Sequence, residues 1–186
     1  GGINSEGSNS LREIILINIA GDDKPGLTSA VAGILADYDV NILDIGQAVI
    51  HDTLSLGILV EVPEEGDSSP VLKDILFRVH ELGLQVRFQP ITEQSYADWV
   101  AQQGKTRHIV TLLARKITAS QISEVTSVAA AHGLNIDDIT RLSGRVTLDD
   151  IEDQDKACVE FSARGNIEGT AALRSAFMEL GARLDA

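Results

Sequence analysis

The chain repeats itself, and the repeat restricts its fold more than any other feature. "REIILINIA" (residues 12–20) is echoed by "RHIVTLLAR" (residues 107–115), and "VNILDI" (40–45) by "LNIDDI" (134–139). Glu13 falls on His108, 95 positions on, whereas Asn41 falls on Asn135, 94 positions on. The second copy therefore has a first loop one residue shorter. Self-similarity at this spacing points to duplication. A chain of 186 residues then divides into two domains of about 80–90 residues each.

Each copy has its own order of periodicities. In the first, a near-continuous apolar run at residues 12–20 has the length and isoleucine content of a buried strand. Leu27, Ala30, Val31, Ile34, Leu35 and Tyr38 then mark one face of a helix. Residues 40–50 and 53–62 read as strands turned back at His51-Asp52, with Leu54, Leu56, Ile58, Val60 and Val62 alternating inward. "PEEGDSS" is a polar loop, from which Ser69 caps a helix with Pro70 at its first position. That helix carries Leu72, Ile75, Leu76 and Val79 on its apolar stripe and stops at Gly83. Leu84, Val86 and Phe88 alternate in a fourth strand. Strand, helix, strand, strand, helix, strand is the ferredoxin-like βαββαβ order.

The second copy follows suit. Thr118-x-x-Gln121 is a capping-box signature before a helix face of Ile122, Val125, Val128 and Ala129. Ala157, Val159, Phe161 and Ala163 alternate in a strand, and Ala172, Leu173, Ala176, Phe177 and Leu180 line a last helix. The predicted fold class is α+β, two tandem ferredoxin-like domains with antiparallel sheets. Residues 1–10 read as a tail or tag remnant, 11–92 as domain 1, 93–106 as a polar linker with at most a helical turn, and 107–186 as domain 2. Only "ARLDA" remains for the last strand of domain 2, so that strand is expected to be short or truncated, as in a piece of a longer protein.

Composition removes several functions. The net charge of −13 repels phosphate backbones and anionic lipid, so neither nucleic acid nor membrane is an expected partner. An RNA-binding version of this fold needs exposed aromatics on its central strands, and the first strand has none. One cysteine, Cys158, cannot form an internal disulfide, which fits a reducing, cytoplasmic compartment. No apolar run approaches the ~20 residues of a membrane span. No metal site is expected: the four histidines (His51, His80, His108, His132) lack close ligand spacing, and "LDDIEDQD" (148–155) does not match an EF-hand loop. No Gly-x-Ser-x-Gly and no glycine-rich phosphate loop is present. Asp37-Tyr38-Asp39-Val40-Asn41 sits at a helix end without the closing threonine of an aspartyl nucleophile. No catalytic residue is assigned.

Weight then falls on "GDDKPGLT" (21–28), which leaves a strand and enters a helix. One reading is a plain turn, with Asp23 capping the helix and Pro25 starting it. The other is a ligand seat. The helix N-terminus offers unpaired N–H groups to a carboxylate, Gly26 permits close approach, and Asp22 or Asp23 can accept bonds from an ammonium group. The second copy keeps a strand, a cap and a helix at "RKITASQ" (115–121) without Pro-Gly. The fold therefore does not require Pro-Gly at this corner, which favours a ligand in the first copy.

An apolar strand running into "GDDKPGLT" and followed by "VNILDI" resembles the ACT domains, small-molecule regulatory modules of amino-acid metabolism. The family loop reads Asp-Arg-Pro-Gly; here it is Asp23-Lys24-Pro25-Gly26, with lysine for arginine. "REIILINIAGDDKPGLT", "VNILDIGQAVIHDTLSLGILVEVP" and "RHIVTLLARKIT" more narrowly resemble the N-terminal tandem ACT region of the bacterial phosphoserine phosphatase family. The resemblance implies a homodimer that binds an amino acid, L-serine as end product, where a first loop meets the second strand of a neighbouring module. Carried over by position, the ligand-binding residues are Asp23, Pro25, Gly26 and Leu27 with Asn41, Ile42 and Leu43. It implies no cofactor in this chain, since Mg belongs to a phosphatase domain that carries Asp-x-Asp-x-Thr. The alternative is a stand-alone tandem-ACT regulator, such as a repressor of glycine cleavage.

Overall fold

The computed structural model describes residues 12–62, 67–151, 156–166 and 170–184. It forms two compact units that divide between Ala97 and Asp98.

In the first unit, strands β1 (Glu13–Asp22), β2 (Asn41–Ile50), β3 (Thr53–Val62) and β4 (Gln85–Ile91) form one antiparallel sheet in the order β2-β3-β1-β4. Helices α1 (Leu27–Asp37) and α2 (Ser69–Glu81) complete the βαββαβ order. Ile15, Ile17 and Ile19 of β1 share a buried cluster with the five alternating residues of β3, Leu54 to Val62. Leu27, Val31 and Leu35 of α1 close it, with Val71, Ile75 and Val79 of α2. Each such side chain contributes about 1.5–3 kcal/mol on leaving water.

The start of α2 differs from expectation. Ser69 is already helical; Ser68 occupies the N-cap and makes no side-chain cap bond. Instead the Ser69 N–H donates to Asp67 Oδ1 at 3.0 Å, and Ser68 Oγ donates to Glu13 at 2.8 Å. An aspartate two residues upstream thus replaces the predicted serine cap. That backbone bond, with the Ser69 hydroxyl adding to it, holds the Asp67 carboxyl below its usual range. The apolar stripe is also rotated. Val71 is buried and Leu72 is partly buried, while Leu76 stands half exposed, because the helix axis is set by Val71, Ile75 and Val79 at spacings of four. The polar loop falls partly outside the described residues, at 63–66.

Where a turn was expected, α3 (Glu93–Gln103) runs for 11 residues, its first turn capped by Thr92 Oγ1, which accepts the Ser95 N–H at 3.0 Å.

In the second unit, β5 (Arg107–Ala114), β6 (Asn135–Arg141) and β7 (Ala157–Arg164) pair in the order β5-β7-β6, with helices α4 (Ala119–Ala131) and α5 (Ala171–Leu184). The capping box at Thr118 and Gln121 forms as read, with both bonds present. Phe161 is fully buried between β5 and β6. The expected fourth strand is not seen: residues 182–184 are the last turn of α5, and no described strand pairs with the outer edge of β5. Residues 185 and 186 lie outside the described residues.

Both second strands carry the same irregularity. The ladder shifts between Ile42 and Asp44 in β2, and between Ile136 and Asp138 in β6, so Leu43 and Asp137 are the extra residues of two equivalent β-bulges.

Two outcomes follow for stability. Thr118→Ala removes a bonded cap and costs about 1 kcal/mol in urea unfolding, whereas Ser69→Ala removes none and costs a few tenths. The Tyr38 hydroxyl donates to Asp74 on α2. That bond, then burial and the charges of Asp74 and Asp37, raise the phenol above its usual 10.0. The folded state holds this proton more tightly, so the stability it contributes is present below pH 10 and is lost as pH rises through the raised value. Phenolate absorbance against pH will show one of the two tyrosines ionising late, and Tyr38→Phe will remove that late step.

Candidate functional site

The loop between β1 and α1 is shaped by backbone bonds and one lysine. The Asp23 N–H donates to Asp52 O at 2.8 Å, tying the loop to the turn between β2 and β3. Lys24 Nζ donates to Leu82 O at 2.6 Å, beyond the C-terminus of α2. A Cβ at Gly21 would collide with the Leu84 side chain. The loop is therefore pinned on two sides, leaving its far end, Pro25-Gly26, at the surface.

Gly26 is the N-cap of α1 and lies in the left-handed region, at φ 83°. No side chain caps this helix, and a Cβ built at Gly26 meets open space. Asp23, the sequence candidate for a cap, does not serve as one. The equivalent helix α4 has its first turn closed by Thr118. Backbone N–H groups at the start of α1 thus face an open approach, with the exposed Asp23 nearby in sequence. Leu27, the next residue, is a core side chain at 2% exposure, and its N–H donates to Lys24 O at 3.4 Å, so the N–H groups open to a ligand are those that follow it.

The strand half lies elsewhere. Asn41 starts β2 opposite Glu61 and donates Nδ2 to Glu61 Oε1 at 3.3 Å. Ile42 is 46% exposed, and Leu43 is the half-buried bulge residue. Asp22 and Ile50 pair with Thr53 at the opposite end of β3. Eight strand positions, about 25 Å, therefore separate the two halves within the first unit. The structure brings Asp23, Pro25 and Gly26 together at one end and Asn41, Ile42 and Leu43 together at the other.

Sequence reasoning missed Lys24 and Gly21 as the residues that hold the loop. The signal for Gly21 was a glycine ending an apolar strand, which marks close approach of another segment. It also missed Thr28, whose Oγ1 donates to Gln47 Oε1 at 2.6 Å, linking α1 to β2. Among the described residues no three His, Cys, Asp or Glu side chains converge to hold a metal. No described helix is long and apolar enough to cross a membrane.

Gly26→Ala places a side chain in the left-handed region with room for it. It will cost about 1–2 kcal/mol of stability by urea unfolding, from backbone strain alone.

Comparison with known proteins supplies the family. The ACT domain profile matches residues 13–89. Phosphoserine phosphatase SerB2 of Mycobacterium tuberculosis is 37% identical over 130 residues, covering 69% of this chain and 31% of that protein. The phosphoserine phosphatase of Streptomyces coelicolor is 30% identical over 129 residues, covering 69% of this chain and 30% of its own length. The chain thus spans about a third of the length of these relatives. A UPF0237 protein of Methanopyrus kandleri is 32% identical over 75 residues, 83% of its length. The crystal structure of a candidate glycine cleavage system transcriptional repressor superposes with a TM-score of 0.66 at 16% identity, covering 94% of both chains, which is a likeness of fold. With its βαββαβ order and the profile match over residues 13–89, the first unit of the chain is an ACT domain.

Proposed function

We propose that the chain is the regulatory, amino-acid-binding and dimerising part of a cytoplasmic phosphoserine phosphatase. On this reading L-serine is the ligand, and the phosphatase chemistry, with its Mg, belongs to another part of the polypeptide. The observation that carries the reading is the N-terminus of α1, which Gly26 opens and no side chain caps, in a chain whose second copy closes the same corner. Free N–H groups bind the ligand carboxylate, and Asp23 accepts from its ammonium group. Because Asn41, Ile42 and Leu43 lie at the far end of the same sheet, a neighbouring module supplies that half, and dimerisation completes the site. Identity to phosphoserine phosphatases over 69% of the chain supports serine metabolism as the setting.

Ligand binding stabilises the native state by mass action, about 2.7 kcal/mol at a hundredfold excess over Kd. Millimolar L-serine will raise the melting temperature of the wild-type chain, and Gly26→Val will abolish the shift while the variant still melts cooperatively. A shift with another amino acid but not with serine would move the ligand; no shift with any would leave assembly as the module's role. A second reading, a stand-alone regulator, draws on the fold likeness to the candidate repressor. The gene separates them: a reading frame continuing past Ala186 into Asp-x-Asp-x-Thr supports the phosphatase, and a stop codon there supports the regulator.

A further inference from the structure

The two copies keep the asparagine that opens the second strand but invert the charge across from it. Asn41 pairs with Glu61 on β3, and Asn135 pairs with Arg164 on β7. The inversion changes what each asparagine offers a ligand, because a side-chain amide has a donor end and an acceptor end.

In the first unit the amide is held by its donor end. Glu61 stands between two groups: Oε1 accepts from Asn41 Nδ2 at 3.3 Å, and Oε2 lies 3.6 Å from Arg12 Nη1. Its side chain is 24% exposed against 61% for Arg12, so the carboxylate is the more fixed member of the pair. An ionised carboxylate only accepts, so it selects the NH2 end of Asn41. Asn41 Oδ1 is the end left for a ligand, and among the described residues no group donates to it.

In the second unit no described side chain holds the Asn135 amide. Arg164 turns instead to Asp137 Oδ2 at 3.0 Å and to Gln103 O at 2.8 Å. Arg107 stands opposite Arg164 on β5, whereas Ile14 stands opposite Glu61 on β1. Two cations thus occupy a place where the first unit has one anion and an isoleucine.

We propose that Glu61 is a positioning residue for the ammonium group of the ligand, and that Arg164 denies the equivalent role to the second unit. The inference rests on the reading that Asn41 belongs to an amino-acid site. An ammonium group has three donors and no acceptor. Asp23 takes one of them, and Asn41 Oδ1, turned outward by Glu61, takes another. The charge of Glu61 attracts the same end of the ligand, and the charge of Arg164 repels it. The strand half of the site therefore reads the ammonium group, the helix terminus reads the carboxylate, and of the two second strands only β2 is equipped for the task.

The test compares L-serine with L-glycerate, which carries a hydroxyl in place of the ammonium group. A hydroxyl donates or accepts, so it is indifferent to which end of the Asn41 amide it meets. Glu61→Arg replaces an acceptor by donors and turns the amide the other way. By calorimetry on the 186-residue chain it will weaken L-serine about tenfold or more and bind L-glycerate no more weakly than the wild type. Glu61→Gln, which can still accept from Asn41, will keep serine affinity within about fivefold. In the ligand-free chain, Glu61→Arg will move the side-chain amide resonances of Asn41 further than Glu61→Gln does. Serine affinity that survives Glu61→Arg overturns the role of Glu61. So does an equal loss of both ligands, or a loss with Glu61→Gln as large as with Glu61→Arg. A wild-type chain that binds no amino acid overturns the amino-acid reading itself, and the ammonium role falls with it. Cooperative melting of each variant reports that the unit is folded.

Discussion

Everything in the first unit depends on β1 being paired along both edges. It bonds to β3 over its full length and to β4 over seven positions, so it has no free edge and its buried face can be almost wholly isoleucine. The two helices pack on that face, and the loop that leaves β1 inherits a fixed starting direction. The candidate ligand corner is therefore held by the most constrained strand of the sheet. β5 turns Val110, Leu112 and Ala114 inward at the equivalent positions and has one partner among the described strands, and the buried core of its unit is split into two clusters.

Duplication left two versions of one corner, and the comparison is informative because the fold is shared. At Thr118 the second copy spends a side chain on its own helix terminus and gains a cap. At Gly26 the first copy keeps the terminus open and accepts a left-handed residue with no side-chain bond. Lys24 and the Asp23 backbone brace this loop from outside, on Leu82 and Asp52. The loop is thus held by two external braces rather than by a side-chain cap on its helix.

Most of this fold was legible because its signals are local. The alternation in β3, the 3.6-residue stripe of α1 and the capping box of α4 each lie within about a dozen residues and require no knowledge of partners. What escaped depended on partners. Ser69 looked like a cap, but Asp67 reached the N–H first. Leu76 looked internal until the direction of α2 was set by three other side chains. Residues 182–184 looked like a strand by analogy with β4, yet they continue α5 past Gly181. The candidate site residues came from the sequence as a list, and their division between two ends of a sheet appears only with the register.

The paired bulges in β2 and β6 explain the motif that revealed the repeat. Ile42 and Ile45 are three apart, as are Ile136 and Ile139, a spacing foreign to a regular strand. Yet Ile42 faces Val60 and Ile45 faces Ile58, both core positions. A straight ladder through the same residues would turn Asp44 inward and Ile45 outward. The extra residue, Leu43 or Asp137, absorbs that change of phase. Shortening either motif by this one residue would give an unbroken strand with every later side chain on its present face. Sheet geometry thus has no need of Leu43 or Asp137, and each copy can vary its bulge residue without disturbing its core. In the second copy that freedom is taken up by Arg164, which donates Nε to Asp137 at 3.0 Å; in the first, it is held by a leucine.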